Sequence, residues 1–114
     1  MNVTDIKVFM PSKDYETSKS FYTEIGFKPE FVTDDLTLFQ NGSSFLYLQR
    51  FYNQELADNF MLQICVLDIE EALNVCSSSK HKTRITPIEQ KAWGKVFYLW
   101  GPAGELLHIT EFSS

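Results

Sequence analysis

Residues 11–27 read Pro11-Ser12-Lys13-Asp14-Tyr15-Glu16-Thr17-Ser18-Lys19-Ser20-Phe21-Tyr22-Thr23-Glu24-Ile25-Gly26-Phe27. The stretch is a helix with both ends marked. Asp14 offers a carboxylate to the free amides of a first turn. Gly26 follows the last helical residue, where a left-handed conformation often closes a helix. The spacing predicts a helix over 15–25. Upstream, residues 6–10 read as a strand. Downstream come strands over 27–32 and 36–40, joined by a turn at Asp34-Asp35, and a strand over 45–50. Asn41-Gly42 is the strongest hairpin signal, because a type I′ turn needs positive φ at both central positions.

The same order of elements then recurs. Residues 61–66 predict a strand and 68–78 a helix capped by Asp68. A weaker strand follows over 84–87. Strands over 95–100 and 105–110 form a hairpin around Gly101-Pro102-Ala103-Gly104. Ile69, Ala72, Leu73 and Cys76 fall at helical spacing. The chain is therefore α+β, with a strand–helix–three-strand unit used twice, over about 4–50 and 59–112. Residue identity between the halves is poor, so the repeat lies in pattern and order.

Successive side chains of a strand face opposite sides. One face of the opening and closing strands reads Ile6, Val8, Met10; Leu46, Leu48; Leu62, Ile64, Val66; Leu107, Ile109. All are large and apolar, so this face packs under the helices. The other reads Lys7, Phe9; Phe45, Tyr47, Gln49; Met61, Gln63, Cys65; Leu106, His108, Thr110. It sets hydrogen-bonding groups between aromatics and a methionine. Two readings fit such a face: a concave ligand surface, or an amphipathic face closed by the chain's own loops or a second subunit.

Composition narrows the classes. The chain has 114 residues, 44% hydrophobic and 22% charged, which is one ordinary globular domain spanning 1–114. A net charge of −5 argues against nucleic acid and anionic membranes, and suits a cationic ligand. No apolar run approaches the roughly 20 residues of a membrane span. The first residues lack the basic and apolar regions of a signal peptide. Cys65 and Cys76 are too few for a disulfide scaffold and read as reduced thiols, so the expected setting is cytoplasmic. Neither has an evident catalytic base, and His81, within Lys80-His81-Lys82, reads as part of a solvated loop.

Residues 11–27 also resemble the opening signature of the glyoxalase, bleomycin-resistance and extradiol-dioxygenase proteins, the vicinal oxygen chelate superfamily. Gln40-Asn41-Gly42 is similar to a hairpin of the bleomycin-resistance branch. Val66-Leu67-Asp68-Ile69-Glu70 resembles the strand-to-helix entry of the second module. Ala92-Trp93-Gly94 resembles a tryptophan–glycine pair of the same branch, and Gly101-Pro102-Ala103-Gly104-Glu105-Leu106-Leu107-His108-Ile109 the closing hairpin. The resemblance spans nearly the whole chain. It implies two tandem β-α-β-β-β modules with mixed sheets, forming a cupped eight-stranded pseudo-barrel, and a homodimer.

It also locates a site. Metal-dependent members carry His, Gln or Glu at positions that here hold Lys7, Tyr47, Met61 and His108. Protonated lysine has no lone pair to offer. Methionine sulfur suits soft metals. A lone histidine does not hold a divalent ion. The expectation is no metal, no cofactor and no catalytic residue. The resemblance implies instead a small-molecule binding protein that sequesters an aromatic or amphipathic ligand, such as a cationic antibiotic. Lys7, Phe9, Tyr47, Gln49, Met61, Trp93 and His108 would line the cleft. Lys7 favours an anionic moiety there unless a carboxylate pairs with it. Departures from the branch include Leu36-Thr37-Leu38-Phe39, where a tryptophan is usual, and Gly101 and Ala103 in place of aspartates. The alternatives are a lyase, isomerase or oxygenase of the same fold with an atypical or absent metal site, and a module whose filled cup serves only dimerisation.

Overall fold

The computed structural model describes residues Met1 to Ser113. Helix α1 runs Tyr15–Glu24, with the Asp14 carboxylate accepting from the Thr17 amide at 3.1 Å. It buries Tyr15, Ser18, Phe21 and Tyr22, one helical stripe. Gly26 closes it at φ 116°. Helix α3 runs Ile69–Ser77, and Asp68 accepts from the Glu70 and Glu71 amides. The Glu111 carboxylate takes the Ile69 amide at 3.0 Å, so a strand side chain completes this cap. A helix not expected from the sequence, α2 over Gln54–Asn59, links the halves. Asn53 caps it and its Ala57 is fully buried.

The strands form two sheets. In the first, β1 (Phe9–Met10), β4 (Ser44–Gln49), β3 (Leu36–Asn41) and β2 (Lys28–Thr33) lie in the order β1-β4-β3-β2. In the second, β5 (Met61–Cys65), β9 (Leu106–Phe112), β8 (Gly94–Trp100) and β6 (Arg84–Ile85) repeat that order, and β7 (Glu89–Lys91) also pairs with β8. Each half thus has one parallel pair, β1–β4 or β5–β9, crossed over by its helix. The fold is α+β, as the sequence predicts, with mixed sheets of four and five strands.

Several boundaries move. The first strand is shorter than 6–10, and Ile6 is 85% exposed, not part of the core face. Val8 still packs on the core and accepts from the Tyr47 amide. The rest of the apolar face is buried in the core or packed against it. The hairpin turn is displaced by one residue: Asn41 pairs with Ser44, so Gly42 and Ser43 are its central residues. Gly42 has φ 60°, and no non-glycine residue among those described has positive φ. Glycine at the first central position belongs to a type II′ turn, which Asn41-Gly42 does not require. The weak strand over 84–87 is shorter, and β7 follows it after Pro87, whose ring cannot donate to a ladder.

One core serves both halves. It joins Phe21, Tyr22 and Phe39 to Ile69, Phe97, Leu99 and Leu107. At its centre the Tyr22 hydroxyl donates to Glu105 at 2.8 Å, a contact between α1 and the β8–β9 turn. The Ala103 amide donates to the other Glu105 oxygen at 2.9 Å. Burial pushes the Glu105 carboxyl above its ordinary range, although both hydrogen bonds favour the charged form. Burial and the neighbouring carboxyl push Tyr22 well up. His81, expected in a solvated loop, is part-buried beside Glu24, which also accepts from the Lys80 amide.

Candidate functional site

The seven residues expected to line a cleft fall into two groups, one on each sheet. On the first sheet, Phe9 lies beside Tyr47 and their rings stack at 5.0 Å. Lys7 lies 5.8 Å from the Phe45 ring. Gln49 is the next same-face residue of β4 after Tyr47. Lys7 is not a free charge: it donates to Asp5 at 2.6 Å. That hydrogen bond holds the Lys7 ammonium above its ordinary range and the Asp5 carboxyl below its own. The first half of the face is therefore aromatic and close to neutral.

On the second sheet, His108 sits between Gln63 and Tyr98 in register. The Tyr98 ring meets the imidazole edge-on at 4.9 Å. His108 Nε2 is buried and has no hydrogen-bond partner. Met61 pairs with Leu106 at the strand's start and is 66% exposed. Trp93 lies in the β7–β8 turn with its ring 5.5 Å from Phe112. Gly94 fixes that turn. Its φ is 151°, and a Cβ there would strike the Glu111 carbonyl oxygen. The Phe9–Tyr47 group belongs to the first sheet and the Met61–His108 group to the second, so each sheet carries half of the expected surface.

The residues at the metal-ligand positions do not suit an ion. Lys7 is an ammonium held by Asp5, Tyr47 is stacked on Phe9, and the Met61 thioether lies on an exposed strand end. Among the described residues, no group of three His, Cys, Asp or Glu side chains is placed to hold a metal ion.

A hollow of about 420 Å³ lies elsewhere, between the halves. Ile25, Phe27, Val66, Ala72 and Val75 give it apolar walls, and both cysteines reach it. The Cys76 thiol is pushed up to about 11, mainly by burial. The alternation of single strands could not reveal this groove, because its walls come from different elements in both halves. A further residue absent from the expected set is Arg84, opposite Trp100 in register with its guanidinium 4.6 Å from the indole. The weak strand pattern over 84–87 hid its side.

Searches of protein-family models and of curated proteins give no match. Solved structures do match along the whole chain. A bleomycin resistance determinant encoded on transposon Tn5 is 23% identical, with a TM-score of 0.81 over 98% of this chain and 100% of that one. The chain has the glyoxalase/bleomycin-resistance fold. A bleomycin-binding protein from bleomycin-producing Streptomyces verticillus, complexed with copper(II)-bleomycin, is 21% identical at a TM-score of 0.80, over 99% of both chains. Lactoylglutathione lyase from Agrobacterium tumefaciens shares the glyoxalase/bleomycin-resistance fold at 13% identity and a TM-score of 0.72, over 97% of this chain and 96% of that one. Binding proteins and an enzyme thus share this architecture, and function has to be argued from the site.

Proposed function

We propose that the protein binds a small aromatic or amphipathic molecule in a cleft and sequesters it without catalysis. One observation carries this reading. The sheet faces turned away from the core hold exposed, ordered aromatic and thioether side chains: Phe9 at 48% and Met61 at 66% exposure, with Trp93 at 45% on the adjoining turn. Such surface stabilises a protein only when something covers it. The polar groups set among them, Gln49, Gln63 and His108, supply orientation rather than chemistry.

A homodimer belongs to the same reading. β1 and β5 are edge strands of their sheets, and the expected surface is divided between the two sheets. A second copy brings one sheet's face to the other's and covers the apolar area. The free thiols Cys65 and Cys76 fit a reducing, cytoplasmic setting. Bleomycin is one candidate ligand, on the strength of the bleomycin-binding structures of similar fold.

The test is a thermal-shift screen of cationic antibiotics and common metabolites, followed by titration with tryptophan fluorescence. At about a hundredfold excess over Kd, binding stabilises the fold by about 2.7 kcal/mol. A true ligand binds Trp93→Ala and Tyr47→Ala more weakly than the unmodified protein. If both variants bind the ligand found as tightly as wild type, the placement of the cleft is wrong.

A further inference from the structure

Arg84 is one of several cations that have no carboxylate within 4 Å among the described residues, and it is set apart by lying over an indole. Arg50 and Lys91 each lie within 4 Å of a carboxylate, as Lys7 does. Among the described residues, the Arg84 guanidinium has no ion-pair partner and makes no hydrogen bond. It lies over the Trp100 indole on the second sheet. Register places it on the outward face: Arg84 pairs with Trp100, Trp100 with Leu106, and one step along, Tyr98 with His108.

We propose that this face binds a planar organic anion, its ring system lying along Trp100 and Tyr98 and its carboxylate or other oxyanion held by Arg84. The inference deepens the small-molecule reading and rests on it. A guanidinium already held over an indole loses less freedom when its planar fork of donors meets an oxyanion. The opposite end of the face holds His108, whose buried Nε2 lacks a partner. Strand spacing of about 4.8 Å and a rise of about 3.4 Å per residue put the Arg84 and His108 Cα atoms about 12 Å apart. That span suits two fused rings bearing an acid group. The acidic protein as a whole, at net charge −5, repels such a ligand at long range. Recognition is therefore local, and the cation of the first sheet, already neutralised by Asp5, does not compete for the anion.

The experiment compares probes sharing one ring skeleton: 2-naphthoate, 2-naphthylmethylammonium and 2-naphthylmethanol. Binding is measured by calorimetry and tryptophan quenching on wild type, Arg84→Met and Arg84→Lys. Arg84 is exposed, so the variants are expected to fold, and a thermal melt checks that they do. We expect 2-naphthoate to bind more tightly than either other probe. Arg84→Met should weaken it about tenfold, the loss of one hydrogen bond to a charged group. Arg84→Lys should recover only part of that. If the ammonium or the alcohol binds as tightly as 2-naphthoate, the anion assignment falls and the small-molecule reading stands. The anion assignment also falls if Arg84→Met binds 2-naphthoate as wild type does. If no probe binds, the anion assignment falls, and the small-molecule reading is judged by the thermal-shift screen alone.

Discussion

Replacing Tyr22 by Phe tests the contact at the centre of the shared core. The change removes one oxygen and leaves the ring to pack against Phe21, Phe27 and Phe39. Glu105 is fully buried, so no water takes over the lost donor. A hydrogen bond to a charged group is worth about 1.5–3 kcal/mol, and an orphaned buried acceptor keeps its desolvation penalty. Tyr22→Phe should therefore lose about 2 kcal/mol, read as a lower urea midpoint at unchanged m-value. Glu105→Gln separates charge from geometry. Its amide oxygen can accept from Ala103 and its NH₂ can donate to the Tyr22 oxygen, which keeps the contact but reverses its direction and leaves the Tyr22 hydroxyl proton without its carboxylate acceptor. The pH dependence has a definite sign. Burial raises the Glu105 pKa above its ordinary value near 4.5. Stability from this group is then fully present below that value and lost as pH rises through the folded pKa. Glu105→Gln removes this loss, so it should gain on wild type as pH rises from 4 to 8. In the Gln background, Tyr22→Phe should cost less than in wild type, a non-additive cycle. Additive losses, a Tyr22→Phe effect below about 0.5 kcal/mol, or a Gln variant that loses ground with rising pH would refute the reasoning.

Gly94→Ala should destabilise the protein by about 1–3 kcal/mol, the range for a residue forced into a disfavoured backbone region, and shift tryptophan emission as the Trp93–Phe112 contact is disturbed. A thermal melt and an emission spectrum check it. Cys65 should react with a thiol reagent at pH 8 within minutes, whereas Cys76, 4% exposed and pushed up to about 11, should react only on unfolding; mass-spectrometric counting reads both. Sedimentation velocity should give a dimer at micromolar concentration, and Phe9→Asp should shift it toward monomer.

Much of this arrangement is legible in the sequence, for reasons that also mark where legibility ends. Asp14 and Asp68 declare the two helices because a cap is a local contact between one side chain and amides two or three residues on. The apolar alternation located the core side of β4, β5 and β9 because burial acts on every second residue of a regular strand. Ile6 broke the rule because β1 pairs through Phe9 and Met10 only, and alternation cannot say how far a pairing extends. The turn at Gly42 slipped by one because a dipeptide signal does not fix register, whereas cross-strand packing does.

The candidate site divides along the same line. Same-face positions such as Phe9 with Tyr47 were legible, being set by neighbouring strands in register. Charge balance was not, because it depends on which side chains meet. The sequence leaves Lys7 either as the cation of the cleft or as the partner of a carboxylate, and Asp5, two residues away, decides for the pair. Arg84 looked like part of an indifferent strand, yet the register of two residue pairs with β8 sets its guanidinium on Trp100, with no acid beside it. On the anion reading proposed above, ligand preference turns on a pairing across sixteen residues of chain, from Arg84 to Trp100, that neither composition nor net charge records. A protein can be acidic overall and still present a cationic, aromatic face, because a contact of a few ångströms outweighs a field screened over roughly a Debye length of 8–10 Å.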